Sequence, residues 1–229
     1  MESPNKKKQV QRIFDSISYK YDFLNHLLSA GVDFYWRKKA IKFSSMDENT
    51  ILLDIACGTG DFAITAKKFG VKKIFGADLS FNMLSLFNKK ADWIKGKTTE
   101  CVAEFLPFKN ESFTNITVAF GVRNFYDIPT AFNEFRRVLV NKGKATVLEF
   151  RLPENLIIKK LYLFYFKNIL PLVGKLISKD PEAYTYLPES VEEFDKKVDL
   201  KKIFFDCGFN DVKKYSLTLG LVQVIVASK

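Results

Sequence analysis

One histidine, three cysteines and no C-x-x-C spacing leave this 229-residue chain short of the side chains that build most metal centres and redox pairs. Cys57, Cys101 and Cys207 are odd in number and scattered, which argues against a disulfide framework and for a reducing compartment, the cytoplasm. His26 alone gives little scope for a His-rich metal site or a His-centred triad, and it reads as a helix residue before a base; no metal is expected. No apolar stretch follows Met1–Lys8, which runs into polar Gln9-Val10-Gln11-Arg12, so no secretory leader is expected. A bilayer-spanning helix is not expected either. Leu156–Ile177 is strongly apolar, but Lys159, Lys160, Lys167, Lys175 and Pro171 interrupt it. Internal repeats and low-complexity tracts are missing too.

Phenylalanine and lysine are abundant. Apolar residues make up 47% of the chain and charged residues 27%, an ordinary composition for a globule with a real core. The net charge of +10 suits nucleic acid, an anionic membrane surface, or a solvated basic surface with no particular partner. Part of that charge is local. Residues 151–180 hold six basic side chains against two acidic ones.

Apolar runs and helical periodicities alternate along the middle of the chain. Residues 9–43 have helical spacing and read as two or three short helices. Ile51–Ile55 and Lys73–Asp78 read as strands, each followed by a helix: Asp61–Phe69, ended by Gly70, and Ser80–Lys90, with Ser80 as N-cap. Phe113–Phe120 is a further strand. Asp127-Ile128-Pro129 opens a helix through Leu139, and an Asn141-Lys142-Gly143 turn feeds the strand Lys144–Phe150. Val212–Ser216 and Leu221–Ala227 form a closing hairpin. The alternation predicts an α/β doubly wound parallel sheet with a terminal antiparallel strand pair. A single domain over 1–229 is expected, with an N-terminal helical cap over 1–48 and a helical insertion over 151–190.

The first strand leads into "LLDIACGTGDFA" (52–63), in which Gly58, Gly60 and Ala63 match the dinucleotide fingerprint G-x-G-x-x-A. Asp54 argues for a different cofactor. In a dinucleotide site a pyrophosphate meets the helix N-terminus, and a carboxylate at the strand's end would repel it. S-adenosylmethionine carries a sulfonium and an ammonium and no phosphate, so a carboxylate beside a glycine loop suits it. Asp78, twenty residues after Gly58, is placed to accept ribose hydroxyls, a role either cofactor would use. A tight turn that needs glycine for its geometry alone remains the bland reading.

Five stretches carry a resemblance: "FDSISYKYDFLNHLLSAGVDFYWRKKAI" (14–41), "LLDIACGTGDFA" (52–63), "AEFLPFKNESF" (103–113), "AFGVRNFYDIPTAFNEFRRVLVNKGKATVLEF" (119–150) and "YTYLPESV" (184–191). In this order they are similar to the quinone-biosynthesis C-methyltransferases, which convert demethylmenaquinone to menaquinone and methylate a polyprenyl methoxy-benzoquinol on the way to ubiquinone. The resemblance implies a class I methyltransferase fold, S-adenosylmethionine as cofactor, and a reduced, long-chain quinone as substrate. It places cofactor contacts on Thr59, Asp78, Val102, Ala103 and Ala119. Asp54, Gly58, Gly60 and Tyr21 complete the expected cofactor site. Two positions depart from the family pattern, which usually has Asn or Asp at 102 and often Ser at 119. Backbone groups of Val102 and Ala103 then stand in for the missing side chain.

Methylation at a ring carbon needs an electron-rich quinol and removal of a phenol proton. The resemblance assigns this chemistry to Arg123, which would stabilise a phenolate or orient a water, and to Asn124, which would fix a ring oxygen. A surface ion pair and a turn former are their bland readings. Tyr21 and Asp22 of "KYD" are expected either to close over the cofactor or to serve structure alone.

RNA methylation and nicotinamide chemistry are the competing enzyme readings. After Phe113–Phe120 the chain has neither the Asn/Asp-Pro-Pro-aromatic element of base amino-group methylation nor a Pro-Cys nucleophile, and no nucleic-acid partner is expected. A non-catalytic binder with the same fold stays open. The expected partners are the polyprenyl quinol and the inner face of the membrane, which Leu156–Ile177 would touch reversibly as a lid. A segment packed wholly inside, or a homodimer surface, is the alternative.

Overall fold

Leu52, Leu53, Asp54 and Ile55 are all buried, on both faces of the strand Ile51–Ile55, which only a sheet covered on both sides can accommodate. That sheet has seven strands in the order β3-β2-β1-β4-β5-β7-β6. They are β1 (Ile51–Ile55), β2 (Lys73–Asp78), β3 (Thr98–Glu100), β4 (Phe113–Ala119), β5 (Leu139–Phe150), β6 (Asn210–Leu217) and β7 (Val222–Ser228). Neighbouring strands from β3 to β5 pair in parallel, and β7 lies antiparallel between β5 and β6. In this computed structural model residues 11, 12, 15, 26, 29, 31–169 and 182–229 are described, with backbone alone at 167, 169 and 182–187.

Successive residues of β1 serve opposite cores. Leu53 and Ile55 pack with Ile116, Val118, Phe132, Phe135 and Phe204. Leu52 packs with Trp36, Ala40, Phe62, Ile74 and Phe87. The first core is covered by α4 (Ile128–Val138) and α7 (Leu200–Asp206), where the rings of Phe132 and Phe204 stack at 4.1 Å. The second is covered by α1 (Val32–Phe43), α2 (Asp61–Lys68) and α3 (Phe81–Lys90). The helix α5 (Leu156–Phe164), a π-helical turn over Tyr165–Ile169 and α6 (Glu182–Lys197) stand between β5 and α7 in the chain.

The caps fall where the sequence puts them. Ser80 accepts the Met83 N–H at the start of α3, and Asp127 accepts the Thr130 N–H ahead of Pro129 in α4. Two elements differ from expectation. Asn141-Lys142-Gly143 is not a turn ahead of a strand but lies within one continuous strand from Leu139 to Phe150. Lys142 takes a left-handed φ of 63° there, and the pairing with β4 shifts register between Phe113 and Asn115, so the extra residues are absorbed as an irregularity in the ladder. Asp54, expected at the end of β1, sits inside the strand, paired in register with Thr117 of β4, and Ile55 is the last strand residue.

Candidate active site

The strand order reverses direction between β1 and β4, and at such a switch point the loops leaving the two strands diverge and open a crevice. A cleft of about 820 Å³, its open mouth included, lies there. Its walls come from four loops. The β1 loop supplies Ile55, Ala56 and Gly58, and the β2 loop supplies Asp78, Leu79, Ser80 and Met83. The β3 loop supplies Cys101, Val102, Ala103 and Glu104, and the β4 loop supplies Ala119, Phe120, Gly121, Asn124, Phe125 and Tyr126. Gln11 closes one side, its side-chain amide donating to the Leu79 carbonyl at 3.4 Å.

The floor of the cleft is tight. Ala56 and Phe120 both take left-handed backbone conformations, φ 51° and 59°, at the points where the chain leaves β1 and β4. Strain of this kind collects at functional sites. A Cβ on Gly121 would stand 2.6 Å from Cβ of Ala56, so only glycine lets the two loops cross. Gly60 is fixed by packing: at φ 86° a Cβ there would lie 2.1 Å from the Phe87 ring of α3.

Asp78 ends β2 with its carboxylate already oriented. Oδ2 accepts the Gly58 N–H at 2.7 Å, and Oδ1 accepts the Ser80 N–H at 2.8 Å. Burial pushes its pKa up, and these backbone N–H groups oppose that rise. Glu104 pins two walls together, accepting the Tyr126 N–H at 2.9 Å and the Asp127 N–H at 3.2 Å. Burial raises its pKa as well. Beneath the floor, Asp54 Oδ1 accepts the Thr117 hydroxyl at 2.7 Å, while its buried Oδ2 has no hydrogen-bond partner. Burial is the main reason its pKa is pushed up to about 7.

The expected site residues divide into two groups. Gly58, Asp78, Val102, Ala103, Ala119 and Asn124 come together on the walls of the cleft. Asp54, Thr59, Gly60 and Arg123 are not among its lining residues. Thr59 is buried and accepts from Lys90 Nζ at 3.2 Å. Arg123 is buried behind the cleft, where Nη1 donates to Glu149 Oε1 at 2.8 Å and to the Phe120 carbonyl. Tyr21 and Asp22 lie outside the described residues. Met83, Cys101, Glu104, Phe125 and Tyr126 are among the wall residues that were not expected as site residues. Their signal was positional: each lies within a few residues downstream of a strand end at the switch-point edge.

A doubly wound sheet closed by an antiparallel strand, with a glycine turn after β1 and an oriented acid at the end of β2, is the class I fold of S-adenosylmethionine-dependent methyltransferases. A SAM-dependent methyltransferase from Thermotoga maritima superposes with a TM-score of 0.64 at 18% identity, over 95% of this chain and 99% of that one. Another from Aquifex aeolicus does so with a TM-score of 0.58 at 15% identity, over 84% and 88%. Within that class the chain belongs to the ubiE/COQ5 methyltransferase family, whose sequence profile matches residues 2–229. It is 41% identical to the demethylmenaquinone methyltransferase of Chlorobaculum tepidum, over 97% of this chain and 93% of that protein. It is 39% identical to the ubiquinone/menaquinone biosynthesis C-methyltransferase UbiE of Geotalea uraniireducens, over 98% and 97%.

The cleft fits the cofactor that this class uses. An acid held by two backbone N–H groups presents its remaining lone pairs to a diol. Met83, Cys101 and Ala103 give the cleft apolar lining on the β2 and β3 loops.

Proposed function

We propose that this chain transfers the methyl group of S-adenosylmethionine to a ring carbon of a polyprenylated quinol, converting demethylmenaquinol to menaquinol or performing the equivalent step toward ubiquinone. The observation that carries this reading is the end-to-end match, at 41% identity, to a protein named demethylmenaquinone methyltransferase. The cofactor supplies an electrophilic methyl group. The protein's part is to hold ring and cofactor in line and to keep the ring electron-rich.

Asp78 holds the ribose hydroxyls, backbone groups of Val102 and Ala103 bind the base, and the glycine turn with Ala119 admits the remainder. Asn124, on the wall beside Phe120 and Phe125, holds a ring oxygen of the quinol. Arg123 is a positioning residue in this reading. Its guanidinium ties the Phe120 carbonyl to Glu149 and so sets the wall against which the ring lies.

The substrate's tail is a lipid, and the surface around the cleft suits a lipid interface. Phe105 and Tyr126 are exposed on the loops that form its walls, and Phe81 is exposed at the start of α3. Leu156, Ile157, Leu161 and Phe164 of α5 are 60 to 73% exposed, with Lys159 and Lys160 on the same helix. Such a face gains from the acyl boundary and from anionic headgroups together. No helix among the described residues is long and apolar enough to cross a membrane. The chain works as a peripheral protein at the cytoplasmic face of the membrane.

The purified protein with labelled S-adenosylmethionine is expected to methylate chemically reduced demethylmenaquinone in detergent and to leave the oxidised quinone unlabelled. Cofactor binding without methylation of either the menaquinone or the ubiquinone precursor would overturn the substrate assignment.

A further inference from the structure

β7 runs antiparallel to β5, with Val222 opposite Phe150. The connection from β6 to β7 therefore stands at the edge of the sheet where β1, β2, β4 and β5 end and the cleft opens. Three successive residues of that connection, Thr218, Leu219 and Gly220, have left-handed backbones, with φ of 48°, 56° and 92°. Hairpins that need such backbones favour Asn, Asp or Gly, and a β-branched threonine there is a true outlier. Thr218 has a local reason, since its hydroxyl accepts the indole N–H of Trp36 at 2.7 Å. Leu219 is 74% exposed, so a strained backbone holds an apolar side chain out in water. The base of this tip is firm. The Arg151 N–H donates to the Leu221 carbonyl at 3.0 Å, and a Cβ on Gly220 would stand 3.4 Å from Cα of Pro153, just ahead of α5.

The same edge carries exposed apolar groups on one connection after another. Phe81 follows β2, Phe105 follows β3, and Leu156 and Ile157 follow β5, all 64 to 75% exposed. The opposite edge is charged. Glu48 lies exposed ahead of β1, Lys72 ahead of β2, Glu111 ahead of β4 and Asp211 at the start of β6. Two exposed rings lie at that end, Phe69 after α2 and Phe205 near the end of α7. Each has a lysine ammonium over it, Lys38 Nζ at 5.6 Å and Lys201 Nζ at 5.9 Å from the ring centre.

We infer that the protein meets the bilayer edge-on, with Leu219 at the hairpin tip inserted among the acyl chains and the cleft mouth opening onto the lipid. This rests on the prenylated-quinol reading above and goes beyond the contact made by α5, because it gives the membrane a whole edge of the sheet and one particular loop. Apolar groups strung along an edge match a flat, continuous apolar phase. Lys159 and Lys160, close in sequence to Leu156 and Ile157 on α5, match anionic headgroups. A lipid-borne substrate then reaches the cleft without crossing water.

Sedimentation with phosphatidylcholine vesicles that contain phosphatidylserine tests the tip. Leu219→Gly suits the left-handed backbone, so it is expected to melt at or above the wild-type temperature and yet to lose vesicle affinity about tenfold. A lower melting temperature with vesicle binding undiminished is the signature of a leucine kept for folding and would overturn the inference. Leu219→Trp is expected to keep the binding and to add indole emission that shifts to the blue with vesicles. An unshifted spectrum would place the tip in water and overturn it as well. Phe205→Asp, at the charged edge, is expected to bind vesicles within about twofold of wild type. A loss equal to that of Leu219→Gly would show that no single edge faces the lipid. The two readings fail separately. Wild type that binds vesicles but methylates neither quinol precursor refutes the substrate assignment, whereas wild type that methylates in detergent and ignores vesicles refutes the docking edge.

Discussion

Asp54 is a carboxyl whose ionisation the fold resists. Its pKa of about 7 in the folded chain stands well above the ordinary 3.8, so the folded state holds the proton more tightly than the unfolded state. The stability this gives is complete below the unfolded value and drains away as pH rises through the folded one, levelling off above about 7. Asp54→Asn, which cannot ionise, is therefore expected to raise the melting temperature of the ligand-free protein at about pH 8 and to leave it near wild type at about pH 4. A flat difference across that range would show that the carboxyl ionises freely. Asp78 makes the opposite case, a carboxylate that the backbone has prepared. Asp78→Ala should weaken S-adenosylmethionine by roughly 1–3 kcal/mol in calorimetry, with the fold intact by circular dichroism. Unchanged affinity would remove Asp78 from the ribose.

These residues also show what was legible beforehand. Asp78 and Gly58 could be read because their roles follow from position: the end of a strand and the turn after one. Arg123 was read as a group in the site, but the direction of a buried guanidinium depends on its counter-charge. Glu149, 26 residues away in sequence, turns it behind the wall. Arg37 was visible only as one cation in a basic helix. Its partner Asp61 is 24 residues further on, a distance that no local pattern spans.

At the scale of elements, β1 and β2 were legible to the residue because a buried parallel strand is a continuous apolar run with polar ends. β3 was not placed. Thr98, Thr99 and Glu100 form a three-residue polar strand, drawn into the sheet by pairing with Gly76–Asp78 and not by burial. The strained crossing beneath the cleft is an element-scale feature with a sharp consequence. Gly121→Ala should drive the β1 and β4 loops apart, lower stability by about 1–3 kcal/mol and cut cofactor affinity in the same variant, as denaturant titration and calorimetry would show. If both stay at wild-type values, the close approach to Ala56 is not needed. α5 is the other element under test. Wild-type protein should sediment with anionic vesicles at low salt and lose that binding as salt is added. Lys159, Lys160 and Lys167 changed together to Gln should abolish it while S-adenosylmethionine affinity holds. Failure of the wild type to bind anionic vesicles would end the membrane reading, and a salt-insensitive dimer in its place would give the exposed face of α5 to a second copy.

At the scale of the whole molecule, the strand order decides when the sheet can close. β7 is the last strand in sequence, yet it lies inside the sheet, making one ladder to β5 and another to β6. Until residues 222–228 have left the ribosome, β5 presents an unpaired edge, with Ala145, Val147 and Leu148 on it that are buried in the finished fold. An open apolar edge is a template for another chain. A nascent or truncated molecule lacking this strand therefore has, in place of two internal ladders, two adhesive edges, one on β5 and one on β6. The parallel half of the sheet can form during synthesis, but protection from aggregation arrives only with the final strand.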